Sequence, residues 1–560
     1  MSIVNFNKKQ FEKEIGKLDE SMQNKIAMFG TTLESFNDEE MEIEIFPNRP
    51  DLLSYQGYKR SFLAFLGKKT GLKEYKINKP EKNYEVIIDK SVLDIRPYTA
   101  CAIVKDLKLN DEKIKEIIDI QEKLHNTIGR KRKKLAIGIY PLEKIKLPIT
   151  FMALEPDKIK FIPLESDREM SGLQILQRHP AGREYAHLLA GKVKFPIFID
   201  ANKNILSMPP IINSQLTGKI TEETKDVFIE CSGYDFNILK KCLNIIITSL
   251  AEMEGKVYQM ELKYKKKEIT PDLTPEKMKI SIENTNKLLG LNLNEKSIKE
   301  LIEKMGCSYN SKNKEVEIPA WRTDILHEVD LIEDIAIAYG YENFIPEIPS
   351  ISTIGEENKK ETIKRKISEI LTGVEFLETS NYHLTTKNDQ IKKMGLNERQ
   401  EKIIEIENSK TDYNILRRDL SHYALKILSE NVDVEYPQRI FEIGKVFTEE
   451  KTNQIKENEK LSVAITPGNF TELRQIVEYL AKMLNLNIKI TDTESSPQHF
   501  IEGRSAEIMF ESKSENKDKK TSIGYLGEVH PKILKNWHLK MPASLLEISL
   551  EEIFEELMKE

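Results

Sequence analysis

Hydrophobic residues recur along this chain at two periods, and each period predicts a different kind of element. In VKFPIFIDANKNILSMPPIINS, Val193, Phe195, Ile197 and Ile199 alternate strictly, which places them on one face of a strand; a polar turn and a second strand around Ser207 follow. Ile43 and Ile45 alternate likewise in MEIEIF, and Phe228, Glu230 and Ser232 share one side of a strand in DVFIECSGYD. Elsewhere the period is helical. Ile298, Leu301, Ile302 and Met305 fall on one helix face, with Asn294 placed to cap it and Gly306 to end it. Strand-like EVEIPAW leads from there to a second helix whose apolar side is Val329, Ile332, Ile335 and Ala336.

The opposite side of that second helix carries chemistry. Asp330, Glu333 and Asp334 stand at i, i+3 and i+4, so three carboxylates share a face, and Asp324 lies just upstream. Like charges at this spacing destabilise a helix by about 0.2–0.5 kcal/mol per pair. Two readings follow: a hard divalent cation with oxygen ligands offsets the repulsion, or a solvated acidic face sits near the positive end of the helix dipole.

Three polar or Pro-containing stretches, 76–85, 263–277 and 346–360, divide the chain into four segments of domain size. We expect an α+β multidomain protein with domains at 1–75, 86–262, 270–345 and 355–560. Composition narrows the class. With 39% hydrophobic and 31% charged residues the chain is globular, and a net charge of −6 leaves no overall basic field for nucleic acid. Any RNA contact must come from local patches. Four cysteines without CxxC spacing argue against a zinc site or disulfide framework and fit a reducing cytoplasm. No apolar run approaches a membrane span, and MSIVNFNKKQFEKEI lacks the apolar run of a signal peptide, so a cytoplasmic location is expected.

Glu230 and Ser232 either line a pocket for a polar group or lie on the exposed face of an edge strand. In EIFPNRPDLLSYQGYKR, Pro47 and Pro50 hold off a helix until Asp51, which is placed to cap it; Arg49 reads as an ion pair or a functional guanidinium. The densest basic run, KLHNTIGRKRKK (123–134), suits phosphate or a solvated helix end. The last segment has paired arginines in LRRD and the arginine of GRS but no Gly-rich phosphate loop, and nothing in the chain has the order or spacing of a nucleophilic triad. ESKSENKDKKTS (511–522) reads as a long hairpin loop.

Taken in order, EIFPNRPDLLSYQGYKR, GRKRKKLAIGIY, HPAGREYAHLL, NILSMPPIINS, FIECSGYD, PAWRTDILHEVDLIEDIAIAYGY, LRRDL, FEIGKVF and FIEGRSAEI resemble the β subunits of archaeal and eukaryotic phenylalanyl-tRNA synthetases. The match runs from near residue 40 almost to the C-terminus. The resemblance implies an (αβ)2 heterotetramer charging tRNA-Phe, with ATP bound and aminoacylation carried out on the α subunit. It implies a B3/B4 editing domain at 86–262, a B5 module at 270–345, and a degenerate class II synthetase-like antiparallel sheet domain at the C-terminus.

It further implies magnesium bound by Asp324, Asp330, Glu333 and Asp334. An editing pocket that hydrolyses Tyr-tRNA-Phe would use Glu230 to accept a bond from the tyrosine hydroxyl, with Ser207 and Ser232 positioning the ester or the attacking water. Such a pocket is needed because an apolar site rejects an isostere with one added hydroxyl by only about 10²-fold. Ser232 stands where relatives often carry Thr, and Pro141 where they usually carry Asp. A second class of reading is a free-standing tRNA-binding or trans-editing protein without an α partner.

Overall fold

The computed structural model describes residues 2–350, 353–399, 401–450, 454–493, 495–512 and 520–559. It forms two compact units, 1–347 and 348–560. The first three segments read from the sequence lie in the first unit and share one apolar core that runs from Val4 to Ala338. Two of the stretches read as linkers are structured: Ile77–Asn78 and Lys267–Thr270 are short strands that pair with the central sheet.

The chain opens with β1 (Ser2–Asn7), which pairs with β3 (Glu40–Ile45), and β3 with β2 (Thr32–Phe36). Met41, Ile43 and Ile45 turn inward from β3, as alternation predicts. Helix α1 (Tyr55–Phe65) follows the proline-rich turn, but Asp51 does not cap it. Ser54 does, its Oγ accepting the Gly57 N–H at 3.0 Å, because Asp51 is held by both Arg49 Nε and Nη2 at 2.9 Å. Of the two readings of Arg49, the ion pair is what forms.

The central sheet uses β4 (Glu85–Ile88), β5 (Tyr98–Lys105), β6 (Leu135–Pro141), β7 (Ile149–Leu154), β8 (Phe195–Ile199), β9 (Ile205–Met208), β10 (Ile212–Asn213), β11 (Val227–Gly233) and β12 (Lys256–Lys263). Their spatial order is β10-β9-β8-β7-β4-β12-β5-β11-β6. Helix α2 (Asp111–Asn126) precedes β6, and α3 (Phe236–Glu252) follows β11. Phe195 and Ile197 are buried, whereas Val193 stands before the strand and is 80% exposed.

A smaller module completes the unit. Strands β13 (Glu276–Lys279), β14 (Ser308–Asn310) and β15 (Glu315–Ile318) form a sheet of order β13-β15-β14 with helices α4 (Ile282–Leu289), α5 (Glu295–Lys304) and α6 (Glu328–Tyr339). Asn294 Oδ1 caps α5 by accepting the Ser297 N–H, and Gly306 takes φ +77° just past its end, as predicted. Ile332, Ile335 and Ala336 are buried on α6, but Val329, in its first turn, is 48% exposed.

Among the described residues, the second unit is built on a seven-stranded, mainly antiparallel sheet. Its long strands are β16 (Gln438–Glu449), β17 (Ile455–Thr466), β18 (Ile488–Asp492), β19 (Phe500–Glu511), β20 (Lys520–Val529) and β21 (Ser544–Ser549), in the order β16-β17-β21-β20-β19-β18. The two-residue strand Leu377–Glu378 adds to β16 in parallel. Strands β19 and β20 pair antiparallel up to Glu511 and Lys520, flanking the charged tract predicted as a hairpin loop; its middle, 513–519, lies outside the described residues. The arginines of LRRD and GRS are committed to carboxylates. Arg417, buried, donates to Glu442 Oε1 at 2.6 Å; Arg418 pairs with Glu401, and Arg504 with Glu528 at 2.7 Å.

Candidate functional sites

Strand β11 lies between β5 and β6, so it is not an edge, and all seven of its residues are buried. Ile229 and Cys231 face the core shared with α3, while Phe228, Glu230 and Ser232 face the other way. The exposed-edge reading of Glu230 is therefore overturned by the pairing on both sides. Opposite Glu230 on β6 stands Gly138. A Cβ at 138 would collide with the Tyr140 phenol and Glu230 Oε1, so the glycine makes room for both.

Tyr140 fills that room. Its ring stacks on Phe228 with centroids 5.8 Å apart. Its hydroxyl donates to Ser207 Oγ at 2.8 Å and lies 3.3 Å from Glu230 Oε1 and 3.4 Å from Asn213 Oδ1. Ser207 and Glu230, predicted from separate strands, are thus brought to one hydroxyl. They line a cavity of about 550 Å³ with Asn213, His125, Arg132 and Pro210.

Glu230 is 1% exposed, and its Oε2 has no hydrogen-bond partner. Burial pushes its carboxyl up to about 8, against the lowering effect of Arg96 and of the neighbouring Ser232 and Tyr140 hydroxyls. The group is therefore a neutral acid at pH 7, with a carbonyl oxygen that accepts and a hydroxyl that donates. Ser232, beside it on the same face, is held by Arg96 instead. Its Oγ accepts from Arg96 Nε at 3.1 Å, its carbonyl from Arg96 Nη2 at 2.5 Å, and it does not line the cavity.

Tyr140, Asn213 and His125 were missed by sequence reasoning. The alternation of LAIGIYP did place Tyr140 on the same face as Gly138. His125 carries no such signal: its Nε2 accepts the Ile137 N–H at 2.8 Å, and burial lowers its pKa, so the ring is neutral with its proton on Nδ1 toward Glu122.

The basic run reaches the same cavity. Helix α2 ends at Asn126, and Arg130, Lys131 and Arg132 take φ of 47°, 54° and 62°. Left-handed backbone costs a side-chain-bearing residue roughly 1–2 kcal/mol. The run is thus the last turn of α2 followed by a tight turn that is left-handed at Arg130, Lys131 and Arg132. Arg132 points inward, donating to Ile211 O at 2.9 Å and Glu122 Oε1 at 2.8 Å, with its guanidinium 4.4 Å from the Tyr185 ring centroid.

The acidic residues form a second site. Asp324, Asp330, Glu333 and Asp334 line one cavity of about 660 Å³ together with Arg49. Their carboxylates are differently engaged. Asp330 Oδ2 accepts the Leu326 and His327 N–H groups at 2.7 and 2.8 Å, closing the capping box that starts α6. Arg322, buried, donates to both oxygens of Asp324 at 2.8 and 2.7 Å and to Asp334 Oδ1 at 3.1 Å. Asp334 Oδ2 lies 3.0 Å from the same guanidinium without accepting a directed hydrogen bond.

Burial raises Asp324, but Arg322 more than offsets it and holds the group low; at Asp334 burial wins and the pKa is raised. Glu333 is exposed, with no ion pair among the described residues. Among those residues no three His, Cys, Asp or Glu side chains converge to hold a metal, because Arg322 and the helix cap occupy three of the four carboxylates.

Comparison with known proteins gives these sites a context. The family of the tRNA synthetase B5 domain matches residues 278–341, which include the acidic cluster, and that of the phenylalanyl tRNA synthetase β chain CLM domain matches 345–550. The phenylalanine–tRNA ligase β subunit of Thermococcus sibiricus is 40% identical over 515 residues, 90% of each chain. That of Archaeoglobus fulgidus is 36% identical over 562 residues, 99% of each. A crystal structure of an N-terminal fragment of the phenylalanyl-tRNA synthetase β subunit from Pyrococcus horikoshii, 38% identical, superposes with a TM-score of 0.58 over 60% of this chain and 99% of that one. By relatedness along nearly its whole length, the chain belongs to the phenylalanine–tRNA ligase β-subunit family.

Proposed function

We propose that the chain serves an (αβ)2 ligase in the cytoplasm, leaving the ATP-dependent attachment of phenylalanine to tRNA-Phe to the α subunit and hydrolysing Tyr-tRNA-Phe in the Glu230 cavity. One observation carries the editing role: Glu230 and Ser207, which line the cavity, already hold a tyrosine hydroxyl, that of the buried Tyr140. Glu230 lines the cavity and keeps Oε2 without a partner among the described residues; it accepts the hydroxyl of an incoming tyrosyl group, whereas a phenylalanyl group leaves it unpaired. Ser207 and Asn213 orient the ester. Neither the neutral Glu230 nor His125, whose Nε2 is committed to Ile137, is poised as a base. The cavity therefore works by selection and placement: water adds to the ester carbonyl, the bond to the ribose oxygen breaks, and the proton passes to that oxygen.

For the second unit we propose a class II synthetase-like sheet without a working nucleotide site, in keeping with its committed arginines. For the acidic cavity we propose magnesium on Asp324, Asp330, Glu333 and Asp334. All four donors are hard carboxylate oxygens, and with Asp51 they set five acids against Arg49 and Arg322. Magnesium supplies charge neutralisation there. Because Arg322 holds Asp324 and Asp334, the chain alone binds the ion weakly, and full binding needs that guanidinium to yield.

The decisive assay is release of tyrosine from Tyr-tRNA-Phe by the full chain with its α partner. Hydrolysis faster than that of Phe-tRNA-Phe supports the reading; equal background rates for both esters overturn it.

A further inference from the structure

The editing cavity must receive an ester carried on the end of a long polyanion, so something has to hold that end at its mouth. The left-handed turn at 129–134 carries five cations in six residues. Its side chains divide by function. Arg132 is spent inward, bridging α2 and the Pro210–Asn213 wall through Glu122 and the Ile211 carbonyl. Arg130, Lys131, Lys133 and Lys134 are all exposed and form no ion pair with any described carboxylate.

The turn is also built to stay in shape. Gly129 allows a close approach to the His125 carbonyl that a Cβ would block, and the Arg132 and Lys134 N–H groups return to His125 O at 3.1 Å and Gly129 O at 2.9 Å. His125 itself lines the cavity. A strained turn anchored to the cavity wall sets these exposed cations close to the cavity, where their local positive field attracts an anion.

We propose that Arg130, Lys131, Lys133 and Lys134 bind backbone phosphates of the single-stranded acceptor end of tRNA and so deliver its terminal ester to the Glu230 cavity. The inference rests on the editing reading above. The contacts are to phosphate and are sequence-independent, so they set how tightly the end is held and not which amino acid is released.

The test is Lys131→Ala/Lys133→Ala in the complex with the α subunit, with Tyr-tRNA-Phe and, separately, a tyrosyl adenosine ester as substrates. Both lysines are exposed and away from the cavity wall, so the fold and the hydrolytic groups are left intact. For Tyr-tRNA-Phe, KM is expected to rise with kcat unchanged, and the effect to fade with salt. Two lost single-strand phosphate contacts lower the slope of log affinity against log salt by about 1.4, so the variant-to-wild-type KM ratio falls about sevenfold between about 50 and 200 mM. The tyrosyl adenosine ester should be hydrolysed equally by both proteins.

Equal KM values and salt slopes for Tyr-tRNA-Phe overturn the proposal while leaving the editing reading intact. If the wild-type complex hydrolyses neither substrate, the editing reading fails, and the proposal as stated falls with it.

Discussion

Glu230 and Tyr140 face each other across adjacent strands, 3.3 Å from Oε1 to the phenol oxygen, so the carboxyl expected to read a substrate's tyrosine is bonded to the chain's own. Tyr140 lies against one carboxyl oxygen, and the other has no hydrogen-bond partner among the described residues. Glu230→Ala should slow hydrolysis of Tyr-tRNA-Phe by about 5- to 150-fold, the equivalent of about 1–3 kcal/mol for an unsatisfied partner, and leave phenylalanine charging unchanged. Tyr140→Phe keeps the stack on Phe228 but frees Ser207 and Glu230; it should lower the preference for tyrosyl over phenylalanyl ester. Normal selectivity in a well-folded Glu230→Ala protein would remove the residue from the site.

Burial raises Glu230 from 4.5 to about 8, and this has a consequence for stability. The unfolded chain releases this proton near pH 4.5 while the folded chain keeps it, so the stabilisation is full below pH 4.5 and is lost as pH rises toward 8. The loss is on the order of 4 kcal/mol. Glu230→Gln, which stays neutral, should flatten that part of the profile. Melting temperatures of both proteins from pH 5 to 8 check it; parallel curves would contradict a neutral Glu230.

Magnesium at the acidic cavity predicts a reciprocal effect of Arg322. Asp330→Asn with Asp334→Asn should lower bound magnesium measured by elemental analysis, whereas Arg322→Gln, which frees Asp324 and Asp334, should raise affinity even as it destabilises the unit. Zinc should not compete, since no cysteine joins the four oxygens. Unchanged metal content in the double variant would dismiss these ligands.

Phosphate has no free arginine to meet among Arg417, Arg418 and Arg504 in the second unit, since each is paired with a carboxylate. Purified chain without an α subunit should therefore show only background exchange of pyrophosphate into ATP in the presence of phenylalanine. Clear exchange would refute the division of labour between subunits.

Period and composition were enough to determine much of this molecule. Alternation fixed the inward face of β3 and which residues share a side of β11, helical spacing with Asn294 and Gly306 fixed α5, and ordered motifs fixed the family, because these properties are local in the chain. Where local pattern met an element's end it failed: Val193 and Val329 lie in register with buried residues but fall outside the strand and in the first turn of the helix, beyond the packing that would cover them. Likewise the pattern put Ser232 beside Glu230, but Arg96 claims it.

What only the tertiary structure decided is which groups share a partner. Ser207, Tyr140, Asn213 and Glu230 come from four strands and meet at one hydroxyl because β6, β9, β10 and β11 fold toward the same cavity. Arg322 takes Asp324 and Asp334 from a set of acids that spacing alone presents as equivalent. A protonation state, too, belongs to the fold: Glu230 is an ordinary acid in the sequence and a neutral one in the structure, because desolvation is a property of everything packed around it.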